Sequence, residues 1–173
     1  MQADVPNDGL LVAEVRLWNT PLIGAYLLWR FVSGYSACAR SGSSPSIALL
    51  FVASAILTSP RLSDPISDRR ADLQSYVRSF NDGGIDLLLS IQPRIEEKRA
   101  YTLKAIGVAI AQGILNWDVN SGQVFARELR QKAKRGRAIR STLDKSGRKA
   151  EIFGGWCAQH EVETVASYLK VVF

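Results

Sequence analysis

The run from Val15 to Tyr35, VRLWNTPLIGAYLLWRFVSGY, is apolar on nearly every side of the helix it would form. Thr20 supplies an N-cap, and Pro21 takes the first helical position, where its missing N–H costs nothing and its fixed φ already suits a helix. Leu22, Tyr26 and Trp29 then fall on one face at i, i+4, i+7, while Leu28, Phe31 and Tyr35 cover another. The pattern predicts a helix from Pro21 to about Gly34, buried in its own domain or against a partner, with Trp29 and Phe31 in the structural core. A Ser/Gly/Pro loop follows, closed by Pro45 at the start of a second apolar helix, Ser46 to Leu57. Beyond the loop TSPRLSDPISD, Ser67 or Asp68 caps a third, amphipathic helix with Leu73, Tyr76, Val77 and Phe80 inward, and Asn81-Asp82-Gly83-Gly84 ends it.

The short apolar run Ile85 to Ile91 suits either period, and its neighbours favour helix. Pro93 opens a long helix from Arg94 to Gln112, with Ile95, Leu103, Ile106 and Ile110 toward the core and Glu96, Glu97, Lys98 and Lys104 outward. The period then changes to two: ILNWDV and QVFARE flank Asn120-Ser121-Gly122, the mark of a β-hairpin. A helix followed at once by a hairpin resembles the wing of a winged-helix unit, although a plain two-stranded flap has the same pattern. From Ala150 onward the chain reads as helix broken at Gly154-Gly155, then as a docking helix with Val162, Val165, Ala166 and Leu169 on one face. The apolar end, Val171, Val172 and Phe173, is expected in the core or in a partner's groove. The expected fold is mainly α, one domain over residues 1–173 with a β-hairpin and an extended lead-in at 1–9.

Four blocks carry a resemblance. The helix entered through an Asn-Pro-like cap and ending Trp-Arg-Phe-Val…Gly-Tyr is followed by IALLFVASAILTSPRL (Ile47 to Leu62), RADLQSYVRSF (Arg70 to Phe80) and YTLKAIGVAIAQGILNWDVNSGQV (Tyr101 to Val124). In order and spacing these resemble the middle component of bacterial three-component ABC systems, the class that includes the small accessory subunit of the Lamassu anti-phage defence system. Two departures stand out: Thr20 separates Asn19 from Pro21, and Ile56-Leu57-Thr58-Ser59-Pro60 replaces a Leu-Pro. The resemblance implies a non-catalytic bridging subunit that links an SMC- or Rad50-like ABC ATPase to an effector, a nuclease in the implied arrangement, against phage or plasmid DNA. The ATP, the magnesium and the cleavage chemistry would then reside in partners.

Composition sharpens this picture at one place. The net charge of +6 is local: Arg127 to Lys149 contains ten Arg or Lys against Glu128 and Asp144, so that segment carries +8 and the rest of the chain −2. Arg127, Arg130, Lys132, Lys134, Arg135, Arg137 and Arg140 are the candidate phosphate contacts, because clustered cations give sequence-independent affinity for nucleic acid. An acidic protein face or a merely solvated stretch would use the same residues. No aromatic residue interleaves them, which argues against stacking on single strands. The alternative function is a stand-alone winged-helix DNA-binding regulator, which would need exposed Arg, Asn or Gln on a recognition helix.

The chemistry a small enzyme needs is hard to assemble from this chain. No phosphate-cradling Gly-rich loop with a lysine and no dinucleotide fingerprint occurs, and His160 is the single histidine. Cys157 and His160 at i, i+3 lack an orienting group, so a buried thiol and a surface histidine are expected. Asp64 and Asp68, Asp82 and Asp86, and Glu161 and Glu163 are expected to cap helices. Cys38 and Cys157 show no metal or disulfide spacing, and no cofactor or metal is called for. The opening MQADVPNDG is unlike a secretory signal, and Pro45 to Leu57 offers 13 residues where a span needs about 20. A cytoplasmic protein without a membrane segment is expected.

Overall fold

The computed structural model describes residues 20–40, 42–81, 83–128 and 137–173, with the side chains of 137–140 left out. The chain is mainly helical with one antiparallel hairpin: α1 (Pro21–Cys38), α2 (Ile47–Leu57), α3 (Pro60–Ser63), α4 (Leu73–Arg78), α5 (Ile85–Leu89), α6 (Ile91–Glu97), α7 (Arg99–Ala111), β1 (Leu115–Trp117), β2 (Val124–Ala126), α8 (Arg137–Cys157) and α9 (Val162–Leu169).

Helix α1 is the centre of the molecule and packs against α8, α7, β2 and α2. One of the two apolar faces read from its sequence explains why: Leu28, Phe31 and Tyr35 are buried, whereas on the other Tyr26 and Trp29 are half-buried, so Trp29 packs against the core and not within it as expected. Leu22 departs from expectation at 64 % exposure. The helix starts at Pro21 as predicted, with the Thr20 carbonyl accepting from the Ile23 and Gly24 N–H groups, and runs four residues past Gly34.

Its extension follows from the contact with α8. A Cβ on Gly34 would stand 2.2 Å from the Glu151 carbonyl oxygen, and one on Gly154 would stand 2.1 Å from that of Phe31. Gly147 of α8 instead makes room for the Tyr26 side chain, whose hydroxyl oxygen would stand 2.5 Å from an added Cβ. The backbones of α1 and α8 therefore touch at Gly34 of one helix and Gly154 of the other. This overturns the expected break at Gly154-Gly155: α8 continues through both, because the glycines serve close approach and not chain reversal. The C-terminal part of the basic segment is likewise regular helix.

Helices α2 and α7 meet through a buried polar contact, a 2.8 Å hydrogen bond between the hydroxyls of Thr102 and Ser54, with Thr102 also donating to the Lys98 carbonyl. The long helix expected from Arg94 to Gln112 is two helices, α6 and α7, meeting at Lys98. The third predicted helix is shorter than expected and capped by Asp72, whose carboxylate accepts from Ser75 N–H at 2.8 Å while Ser75 Oγ accepts from Asp72 N–H. Phe80 lies beyond its end yet remains buried. Tyr76 is buried there, its hydroxyl donating to the Leu62 carbonyl at 2.9 Å, and burial pushes its phenol well above the usual value.

The hairpin pairs Leu115 with Ala126, Asn116 with Phe125 and Trp117 with Val124. Asp118 builds its turn, accepting from Ser121 Oγ and Asn120 N–H, and these bonds hold its carboxyl below the usual range. A third segment joins the two strands: Ser46 forms an antiparallel bridge with Gln123, and the Pro45 carbonyl accepts from Val124 N–H. β2 is thus flanked by β1 on one side and by the residues just before α2 on the other.

Helix α9 packs as its pattern predicted, with Val165, Ala166 and Leu169 buried. It ends at Lys170 in the left-handed region, φ 57°. Glycine relieves that conformation and is the usual residue there, so Lys170→Gly is expected to raise stability by about 1 kcal/mol in denaturant titration. A lower midpoint would show that the Lys170 side chain contributes more than its backbone costs.

Candidate interaction surfaces

The sequence placed its candidate site on the cations from Arg127 to Arg140, and the structure divides them. Arg127 is exposed at the end of the hairpin, its N–H donating to the Ile114 carbonyl and its own carbonyl accepting from the Trp29 indole at 2.8 Å. Arg130, Lys132, Lys134 and Arg135 lie outside the described residues, as do the side chains of Arg137 and Arg140, whose backbone opens α8.

Further along α8 the charge is partly matched within the molecule. Lys149 meets Asp64 at 2.9 Å; Arg148 meets Asp68 at 3.1 Å and Glu151 at 3.9 Å. Glu151 also holds Arg30 of α1 at 2.7 Å, with the Arg30 guanidinium against the Tyr26 and Trp29 rings. Exposed pairs of this kind contribute little individually. Their consequence is that Arg148 and Lys149 are less available to an outside phosphate than the charge count suggests. Asp64 and Asp68, expected as helix caps, are partners of the basic helix.

An open cleft of about 610 Å³ lies between α1, α8 and the turn at Asp68, lined in part by Cys38, Arg70, Arg148 and Trp156. Its cations are engaged: Arg70 donates to the Pro65 and Ser75 carbonyls, and Arg148 faces Asp68. Cys157 is fully buried, and desolvation pushes its thiol far above the usual value. His160 stacks edge-on against Tyr168 at 5.4 Å and is half-buried, not the surface histidine expected. Among the described residues, no group of three or more His, Cys, Asp or Glu is placed to hold a metal ion, and no helix is long and apolar enough to cross a membrane.

The apolar C-terminus is split as well. Val171 is buried, whereas Val172 and Phe173 are 79 % and 54 % exposed, with Val172 N–H donating to the Gln92 side chain at 3.0 Å. The expectation of core or partner groove is met in the core by Val171 alone.

One apolar surface escaped the sequence reading. Leu103 and Ile110, assigned to the core, are 51 % and 39 % exposed on α7, and the buried face is instead Thr102, Ala105, Ile106 and Ala109. Reading one stripe per helix hid the second; the spacing of Ala100, Leu103, Gly107, Ile110 and Ala111 would have shown it.

Residues 10–173 match the protein family described as ABC-three component (ABC-3C) system Middle Component 3. The chain belongs to this family. Neither a curated protein nor a solved structure matches it. The family match spans all the described residues, so the α1–α8 contact, the hairpin and the exposed face of α7 are all features of a middle component.

Proposed function

We propose that this middle component is a non-catalytic bridging and regulatory subunit of a bacterial defence complex. It links an SMC- or Rad50-like ABC ATPase to an effector, a nuclease in this reading, and acts in the cytoplasm against phage or plasmid DNA. The observation that carries the proposal is its membership of a middle-component family, joined to apolar side chains left facing solvent on α7 and at the C-terminus. Several groups that could carry chemistry are already engaged, which supports it: Cys157 is sealed in the core, and Asp64, Asp68 and Glu151 sit in ion pairs. Copurification of the tagged chain with the two other components of its system tests the reading. A stable ternary complex is expected, and a chain that ignores both components refutes it.

The order helix, bridge, helix, helix, hairpin, with the bridge beside β2, resembles a winged-helix unit once residues 58–98 are set aside, a likeness of element order alone. That likeness supports a second reading, a stand-alone DNA-binding regulator. The α7 surface opposes it, since a helix that reads base edges presents Arg, Asn or Gln where this one presents Leu103, Gly107 and Ile110. DNA contact through the basic segment is a separate question with its own measurement. If Arg130, Lys132, Lys134, Arg135 and Arg137 meet phosphates, replacing all five with Ala lowers the salt slope of DNA binding by the complex by up to about 4–5, equally for all sequences. An unchanged slope with loss of a protein component would make the segment a protein-binding surface.

A further inference from the structure

Helix α7 carries two apolar faces, and among the described residues only one has a partner. Toward the core it presents Thr102, Ala105, Ile106 and Ala109; toward solvent it presents Ala100, Leu103, Gly107, Ile110 and Ala111 at helical spacing. Single exposed apolar residues are ordinary on protein surfaces, but a continuous helical stripe is not.

Gly107 is the telling position. At Gly24, Gly34, Gly147 and Gly154 an added Cβ would collide with neighbouring atoms within 3 Å, so packing inside the domain accounts for each. At Gly107 it would meet nothing within 4 Å. A glycine inside a helix weakens that helix relative to alanine, and no contact among the described residues requires this one. It leaves a notch between Leu103 and Ile110, the shape that receives a side chain from a second helix laid along the first.

Charge narrows the occupant. The only ionised side chains on α7 are Arg99 and Lys104, both exposed, and at the helix's C-terminal end the Arg127 guanidinium lies 3.7 Å from where a Gly113 Cβ would be. Thirteen residues give a track of about 20 Å, enough for three turns of a partner helix. We propose that the outward face of α7 docks an amphipathic helix of another component of the system, with its apolar ridge over Leu103, Gly107 and Ile110 and its carboxylates beside Arg99 and Lys104. This rests on the bridging function proposed above and names the surface that performs it.

The test uses the full chain with each of the other two components, purified separately. Gly107→Ala is expected to raise the melting temperature by about 2–4 °C while weakening binding of one component, a combination that a purely structural glycine does not give. Gly107→Trp, which fills the notch, and the double reversal Arg99→Glu, Lys104→Glu are each expected to weaken it about tenfold or more. A benzophenone side chain at position 110 should crosslink to that component. Crosslinking to DNA, or to the chain itself, overturns the proposal. So does undiminished binding of the variants when the unsubstituted chain binds, which leaves the bridging reading standing. If the unsubstituted chain binds neither component, both fall.

Discussion

Gly154→Ala is expected to destabilise the middle component by about 3 kcal/mol or more, at the upper end of what overpacking does in a core. The added methyl would sit 2.1 Å from the Phe31 carbonyl oxygen and 2.9 Å from the Tyr35 nitrogen, and both are backbone atoms that no rotamer change can move aside. Relief requires separating α1 from α8, the contact on which the fold is centred. The sign is diagnostic, because propensity alone predicts the reverse: Ala for Gly inside a helix contributes up to about 1 kcal/mol of stability. Chemical denaturation of the two proteins decides between them. A gain would mean that the helices do not cross this closely.

Truncating Phe31 to Ala should cost about 3–5 kcal/mol, the range for removing a fully buried aromatic side chain. Phe31 is 0 % exposed and its ring lies 5.7 Å from that of Phe153 and 6.5 Å from that of Tyr35, so the deletion opens a cavity where α1 meets α8. Trp29→Ala should cost clearly less. Trp29 is half-buried, and much of its role is the indole bond to the Arg127 carbonyl, which ties the end of the hairpin to α1. Equal losses in thermal unfolding would show that Trp29 is a core residue of the same rank.

Much of the fold was legible from local rules. Thr20-Pro21 marked the start of α1, Ser46 that of α2, and the change of period after Gln112 announced the hairpin, since each depends on residues adjacent in sequence. The stripe of α9 was equally plain. The family, too, was visible as an order of apolar blocks, and the match over residues 10–173 agrees with it.

What failed depended on residues far apart in the chain. Gly154-Gly155 reads as a helix break until Phe31 and Tyr35 are known to lie against it. Asp64 and Asp68 read as caps until Lys149 and Arg148 arrive from 85 and 80 positions away. On α7 the pattern contained two apolar stripes, and nothing local says which of them α2 and α1 will cover. The sequence by itself determined where helices start, where the period changes and how much apolar surface must be covered, because propensity, capping and turn chemistry act over a few residues. Only the tertiary structure decided which faces meet, which glycines admit a neighbouring backbone and which charges are already paired, because those outcomes depend on packing between segments whose separation along the chain carries no record of their contact.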